Sequence, residues 1–464
     1  ASLDQYGQSV PGQLVLVGHP QLAHRIIPTG SNDFRETALW SPGSLSKAIY
    51  PYRMPQQGRT SGLAQGYHHN SFLIVEKADS AAGPMHEGIV NSWHVRPVEV
   101  TDDREVGGTT GFNDMGHRYS AVLSSDGTAK ITDVVYEPRE LVVGDLHDHV
   151  ADQRMIALYV DVLRKFPTLR DVYIHDPIDG FSHNHHEKDR LTLLIRKFAN
   201  GELDYHREMM GLVQTTNAFL SIRPNIRVKF PDSNHSYWGK QLIDKRTETQ
   251  SIVNGAFLAE LQNAKVNFGV EDPLEWVFHY RNDYIATLPP HIQRDMHERT
   301  VQVSDPRRVQ VIAFGVPDAT GPSYRPVHLN FHGHQGANGA KSSPLSHARA
   351  NLNTVVGDSH QSYILGGYMN VGTSTPKRVG YNNGGYSSWV NSFALVYPDG
   401  TKQLLTYSSL TGTYYQRSEK GILPPDRFFG TDRLQVKPTD NQLLPNAEVM
   451  DTHSWWIDLL RGRG

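Results

Sequence analysis

Carboxylate and imidazole side chains follow five predicted strands in the middle of the chain, each close to the strand's end. In open α/β sheets, ligands bind beyond the carboxyl ends of the strands. Aspartate oxygens and histidine nitrogens together suit Mn²⁺, Fe or Zn²⁺ better than Ca²⁺, whose ligands are nearly all oxygens. A single Asp-x-His motif is weak evidence for a metal site. Five successive strands that each end in such residues predict a metal centre at one rim of the sheet. The polar residues at these ends are Asp145 and His147, Asp176 and Asp179, Asp232, Asn234 and His235, His332 and His334, and Asp358 and His360.

The chemistry that such a centre supports is displacement at phosphorus. Two divalent metals about 3.5–4 Å apart can stabilise both the attacking and the leaving oxygen of an in-line displacement. The residue types therefore indicate hydrolysis of a phosphate ester.

Alternating strands and helices in residues 139–410 are predicted to position these side chains. ELVVGD is an apolar strand, residues 151–166 carry apolar side chains at helical spacing up to Pro167, and DVYIHD is a second buried strand. A strand, a helix and a strand in this order form a βαβ unit with a parallel strand pair. This pattern predicts an α/β sandwich with mixed β-sheets flanked by helices. Further helices are predicted near 187–199, 202–220 and 344–352, and further strands at 225–230, 308–315, 327–331, 354–357, 364–371 and 392–408.

The chain divides into three predicted regions. Residues 1–138 form a β-rich N-terminal domain, with strands at 14–17, 71–77 and 88–100 and a hairpin around Asp126-Gly127. Residues 139–410 form the catalytic domain. Residues 411–464 form a C-terminal extension that ends in a short helix near Trp455.

Composition limits the function. A hydrophobic fraction of 38% with 20% charged residues predicts a packed globular core. The formal net charge of −3 counts against DNA binding by phosphate neutralisation alone. Contacts to a nucleic acid would then come from local basic patches or from bound metal. The absence of cysteine excludes disulfides and thiolate metal ligands.

The compartment and the oligomeric state are less constrained. The first residues show no signal-peptide pattern, and no run of about 18 apolar residues predicts a membrane span. We therefore expect a cytoplasmic protein without a membrane partner, and a homo-oligomer stays open.

The order of the five motifs resembles the calcineurin-like metallophosphoesterase superfamily over residues 139–375. VVGDLH is similar to the opening G-D-x-H of that superfamily, and FHGHQG is similar to its H-G-H motif. HDPIDG resembles G-D-x-x-D-G/R with His175 in place of glycine. DSNHS resembles G-N-H-E/D with Ser233 and Ser236 substituted. VVGDSH resembles G-H-x-H, with Asp358 where the first histidine is usual.

This resemblance implies a metallophosphoesterase-type sandwich that holds two divalent metal ions. A carboxylate at Asp358 favours a harder metal, so Mn²⁺ fits best, with Mg²⁺, Fe and Zn²⁺ as alternatives. His235 would donate a proton to the leaving oxygen or stabilise the transition state. The implied ligands are Asp145, His147 and His360 for one metal, Asp176 as the bridge, and Asn234, His332 and Asp358 for the second metal.

Five further polar residues near these motifs have other interpretations than metal binding. Asp179 supports a ligand or caps a helix more readily than it binds metal itself. His185 and His186, with His183, either touch substrate phosphates or belong to a solvated loop. His334 fits a hydrogen bond to a metal ligand.

A narrower resemblance concerns phage metallophosphoesterases of the T5 pre-early type, which are linked to host DNA degradation. It rests on the β-rich region with PTGS, the G-D-x-H motif and the His-rich FSHNHHEKD. It implies a nuclease (DNase) that hydrolyses DNA. Two alternatives stay open: a small-molecule phosphatase or phosphodiesterase, and a non-catalytic binding scaffold with a degenerate site.

Overall fold

A computed structural model gives the fold. It describes residues 14–18, 22–28, 36–43, 45, 70–77, 93–103, 109–123, 129–183, 187, 189–244, 248–287, 289–290, 301–303, 311–312, 327–336, 339–349, 353–377, 379 and 387–407. Within these ranges the chain is an α/β protein with three sheets and eight α-helices.

The strands are β1 (Leu14–Leu16), β2 (Leu22–Pro28), β3 (Glu36–Pro42), β4 (Ser71–Lys77), β5 (Trp93–Asp103), β6 (Thr109–Asp114), β7 (His117–Leu123), β8 (Ala129–Val135), β9 (Glu140–Val143), β10 (Asp171–Ile174), β11 (Arg227–Phe230), β12 (Val301–Val303), β13 (Val311–Ile312), β14 (Val327–His328), β15 (Thr354–Val356), β16 (Ser362–Leu365), β17 (Tyr368–Val371), β18 (Ser392–Val396) and β19 (Lys402–Thr406). The helices are α1 (Gln153–Lys165), α2 (Leu191–Ala199), α3 (Tyr205–Leu220), α4 (Asn234–Asp244), α5 (Glu248–Phe268), α6 (Pro273–His279), α7 (Asn282–Ile285) and α8 (Pro344–Arg349).

Two mixed sheets carry the candidate site. The six-stranded sheet has the order β12-β11-β10-β9-β18-β19, in which β9 to β12 are parallel and β18 runs antiparallel to β9. The eight-stranded sheet has the order β1-β3-β2-β16-β17-β15-β14-β13. The five strand ends therefore belong to two sheets, so the prediction of one sheet rim is wrong. Periodicity identifies strands but does not assign them to sheets.

The two sheets share an apolar core. Val142 of β9 and Tyr173 of β10 pack in one cluster with Val355 of β15 and Val371 of β17. The neighbouring Leu141 lies in a second cluster on the other face, with side chains of α1 and α3. Because β9 is covered on both faces, its four residues are all buried, as expected for a parallel strand inside an α/β fold.

Helix α1 forms where the apolar spacing predicts it. The Asp152 carboxylate caps its first turn by accepting a hydrogen bond from the Arg154 amide at 2.9 Å. Met155, Tyr159 and Leu163 are fully buried on one face. The helix ends at Lys165, two residues before Pro167, which cannot continue it.

A third, antiparallel sheet has the order β4-β5-β6-β7-β8 and confirms the predicted hairpin between β7 and β8. It is tied to β19 by a buried network in which Arg96 contacts Asp114 at 2.7 Å and the Gln403 amide donates to the same carboxylate at 2.6 Å. Strands β1 to β3 instead join the eight-stranded sheet through β2 and β16. The division at residue 138 stays a prediction, but hydrogen-bonded pairing crosses it.

The α/β class is confirmed, and several elements were not predicted. These are β2, β3, β6, β12 and the helices α4 to α7. The predicted terminal helix near Trp455 lies outside the described residues. Among the described helices, none is both long and apolar enough to cross a membrane.

Candidate metal centre

The predicted ligands lie where strand ends of the two sheets meet. From the six-stranded sheet, Asp145 follows β9, Asp176 follows β10, and Asn234 opens α4 after β11. From the eight-stranded sheet, His332 follows β14 and His360 follows β15. The backbone joins the two sheets here, because the Asp145 amide donates to the Gly372 carbonyl at 3.1 Å.

Four buried side chains form the tightest group. Asp145, His147, Asp176 and His360 each offer a ligand atom, and these atoms lie within 4.8 Å of one another. His147 Nε2 is 2.9 Å from His360 Nε2, and His360 Nε2 is 3.2 Å from Asp145 Oδ2. Two imidazole lone pairs at this distance repel unless a proton or a cation lies between them. The group therefore fits a cation.

Further side chains also approach Asp176 Oδ2, which lies 3.8 Å from His147 Nε2. His332 Nε2 is 3.4 Å from Asp176 Oδ2 and 4.0 Å from Asp358 Oδ1. His235 Nε2 is 3.7 Å from the same Asp176 oxygen. Asp176 thus contacts three histidines, His147, His235 and His332, and is the shared carboxylate of the site.

Unpartnered polar atoms test whether a metal fits. A buried polar atom without a hydrogen bond is costly and calls for an explanation. Four predicted ligands each present such an atom within the described part of the chain, and metal coordination would satisfy all four. These atoms are Asp145 Oδ2, Asp176 Oδ1, Asn234 Oδ1 and His332 Nε2.

The electrostatics of the site also favour a cation. Burial raises the pKa of Asp145 to about 7. Burial opposes charge on His147 and His332, but the Asp179 contact to His147 and the Asp176 contact to His332 outweigh it, and the pKa of each imidazole is raised to about 9. The buried carboxylates thus draw positive charge, and a metal would take the place of those protons.

Backbone conformation concentrates strain at the site. Among the described residues other than glycine, five have positive φ, and four of these are predicted ligands: His147 (43°), Asp176 (40°), Asp358 (75°) and His360 (55°). Such conformations are uncommon outside glycine and cluster at functional sites. The fold therefore holds these side chains in place at the expense of backbone strain.

Close backbone packing fixes Asp145. A Cβ atom added to Gly357 would overlap Asp145 Oδ1 and lie 2.8 Å from His175 Cβ. The amide of Asp358 donates to the same Asp145 oxygen at 3.1 Å. Only glycine at 357 lets the loop after β15 approach the carboxylate so closely.

Asp179 organises the two histidines on one side of the site. Its Oδ1 is 3.1 Å from His147 Nδ1, and its backbone carbonyl is 2.5 Å from His235 Nδ1. Because a carbonyl only accepts, His235 carries its proton on Nδ1 and turns Nε2 toward Asp176. This arrangement matches the expectation that Asp179 supports a ligand.

The remaining predicted residues divide by position. His334 lies beside His332, with ring centroids 5.5 Å apart, and its Nδ1 is buried without a hydrogen bond among the described residues. His185 and His186 lie outside the described residues. Asp232 pairs with Lys240 at 2.6 Å. The metal and catalytic roles of all these side chains stay predictions.

Three side chains at the site were not predicted to belong to it. His175 Nδ1 is 3.4 Å from His332 Nδ1, and the departure from glycine in the second motif was its only sequence signal. Trp238 packs on His235 at 4.3 Å between ring centroids, and Trp389 packs on His360 at 4.1 Å. Neither tryptophan follows a motif or a spacing that would have indicated it.

Comparison with known proteins gives one relevant match. The chain is similar to Protein A1 of Escherichia phage T5, with 22% identity over 366 residues. The match covers 76% of this chain and 56% of the phage protein, so the chain spans little more than half the length of that relative. No family model and no solved structure matches the chain.

Proposed function

We propose that this protein is a metal-dependent phosphodiesterase that hydrolyses DNA. The observation that carries the proposal is the convergence of buried Asp and His side chains from two sheets around Asp176, with ligand atoms that lack hydrogen bonds. Buried polar atoms without a hydrogen bond are costly, so this arrangement favours a cation-binding role over simple packing.

Seven side chains would hold the metal. Asp145, His147 and His360 would bind one ion, Asn234, His332 and Asp358 would bind another, and the Asp176 carboxylate would contact both. When bound, two divalent ions stabilise charge on phosphate oxygens and supply a nucleophile from water at neutral pH. The proposed ligands are Asp145, His147, Asp176, Asn234, His332, Asp358 and His360.

His235 is the proposed proton donor. It sits at the rim, with 13% of its side chain exposed, and its Nε2 faces the cluster. The Asp179 carbonyl fixes the proton on Nδ1, so Nε2 takes up a proton and gives it to the leaving oxygen. Because it contacts both the cluster and solvent, His235 suits a group that must reach the leaving oxygen of a bound DNA strand.

The similarity to a phage protein supports the choice of DNA. We propose a phage protein that acts on host DNA in the cytoplasm of an infected cell. A net charge of −3 gives little general attraction to phosphate. We therefore expect the metal ions, rather than a basic surface, to supply much of the affinity for the phosphodiester.

A nuclease assay tests this proposal. Purified protein is incubated with linear duplex, circular plasmid and single-stranded DNA in Mn²⁺ or EDTA, with Asp176→Asn as the matched inactive control. We expect Mn²⁺-dependent cleavage that EDTA and the Asp176→Asn substitution abolish.

The alternatives give different results in the same assay. Hydrolysis of a phosphate monoester without cleavage of DNA would favour a small-molecule phosphatase. Absence of both activities together with absence of bound metal would contradict the proposal and favour a scaffold.

A further inference from the structure

A row of five aromatic rings crosses the candidate site. From one end to the other it consists of Trp238, His235, His147, His360 and Trp389. The successive centroid separations are 4.3, 4.8, 4.9 and 4.1 Å. The three imidazoles in the middle belong to the proposed metal and proton-transfer groups. A tryptophan therefore packs at each end of this series of rings.

Both tryptophans expose part of their surface to solvent. Both are half-buried, and each packs on a histidine that is itself partly exposed, with 13% of the His235 side chain and 11% of the His360 side chain reaching solvent. Tryptophan does not bind metal and does not transfer protons at neutral pH. A half-exposed indole beside a phosphate-binding centre offers a flat apolar surface to whatever flanks the phosphate.

Two lysines on the strand and the helix that flank the third motif, Lys229 of β11 and Lys240 of α4, are engaged with carboxylates. Lys240, on the same helix as Trp238, contacts Asp232 at 2.6 Å and Asp272 at 3.1 Å. Lys229 is buried and lies 3.6 Å from Asp171. These two lysines are therefore engaged within the protein, whereas the two indole rings are apolar surfaces that pack against the histidines of the cluster.

We propose that Trp238 and Trp389 are stacking surfaces for unpaired bases on the two sides of the scissile phosphate, which makes single-stranded DNA or frayed ends the preferred substrate. Stacking of bases on aromatic side chains tolerates any sequence, because every base has a flat face. It requires unstacked bases, which an intact duplex does not offer. This inference rests on the proposed function.

Substitutions of each tryptophan test the proposal on three matched substrates. These are a single-stranded oligonucleotide, its duplex, and the same single strand with abasic residues flanking the cleaved linkage. We expect the parent to prefer the single strand. Trp238→Ala and Trp389→Ala each lower kcat/KM on it by about 5- to 150-fold, mainly through KM. Trp238→Phe and Trp389→Phe retain most of it, and Trp276→Ala, a half-buried tryptophan on α6, is the control.

The abasic strand separates stacking from a positioning role. We expect the alanine variants to cleave it as well as the parent does, because no base is present to stack. Equal loss on the normal and abasic strands would overturn the proposal, since the tryptophans would then only hold His235 and His360 in place. A parent that prefers the duplex would also overturn it.

A binding measurement tests base stacking independently of hydrolysis. Tryptophan fluorescence is titrated in Mn²⁺ with the normal and the abasic strand, each made with non-hydrolysable linkages so that no cleavage occurs. We expect quenching by the normal strand only, and smaller quenching in the two phenylalanine variants. Quenching by neither strand would overturn the stacking proposal. Absence of cleavage in Mn²⁺ with this quenching intact would contradict only the hydrolytic function.

Discussion

Gly357→Ala tests whether close packing holds Asp145 in place for metal. The added methyl group would overlap Asp145 Oδ1 and lie 2.8 Å from His175 Cβ, well inside the roughly 3.5–4.0 Å of a normal carbon contact. The variant must move the carboxylate or the loop after β15. Overpacking of this kind costs about 1–3 kcal/mol of stability. The displaced ligand should weaken metal binding by about 10–100-fold, as loss of ligand support does.

The assay is Mn²⁺ titration by calorimetry, with urea unfolding of the metal-free protein alongside. Gly255→Ala is the matched control, because an added Cβ there meets nothing within 4 Å and the residue lies in α5. We expect that control to keep metal affinity and to gain slightly in stability. Metal affinity within about twofold of the parent for Gly357→Ala would refute the reasoning, because displacing a ligand must cost more than RT.

Three further predictions concern His235, Asp179 and the buried Glu140. His235→Ala should retain bound metal and lose about 10²–10⁴-fold in kcat, with exposed His149→Ala as control; equal loss of metal would make His235 a ligand. Asp179→Asn should weaken Mn²⁺ binding by about 10–100-fold through its contact to His147, and unchanged binding would contradict that support role. Burial raises the pKa of Glu140 in the folded protein to about 9. The free energy of unfolding of the parent protein is therefore highest at acid pH, where this carboxyl group is protonated, and falls as the pH rises to 9. Glu140→Gln should therefore gain on the order of 1–3 kcal/mol over the parent at pH 9 but not at pH 5 in urea unfolding, and a constant difference would contradict the assignment.

The local sequence pattern was enough to predict the strands and the helix nearest the site. Strands β9 and β10 are short apolar runs, and α1 between them shows clear helical spacing with a cap and a following proline. The polar residues that follow them were identified for the same reason, since the chain itself places Asp145 and Asp176 at strand ends. The convergence of these residues with His332 and His360 followed from their order along the chain.

The sequence did not predict which strands pair when they lie far apart in the chain. Strand β2 pairs with β16, more than 300 residues later, and the His24 ring contacts Ser362 Oγ at 3.0 Å across that pairing. No local pattern carries this information, which is why the strand ends were expected on one sheet rather than two. Helix α5 lacks a one-sided apolar stripe and was therefore missed. Trp238 and Trp389 reach the site only through tertiary packing.

Anomalous diffraction from crystals soaked in Mn²⁺ tests the central claim most directly. We predict two peaks about 3.5–4 Å apart, both within coordination distance of the Asp176 carboxylate. One peak would lie near His147 and His360, and the other near His332 and Asp358. No peak at this position, or a peak elsewhere alone, would contradict the proposal that these side chains form a metal centre.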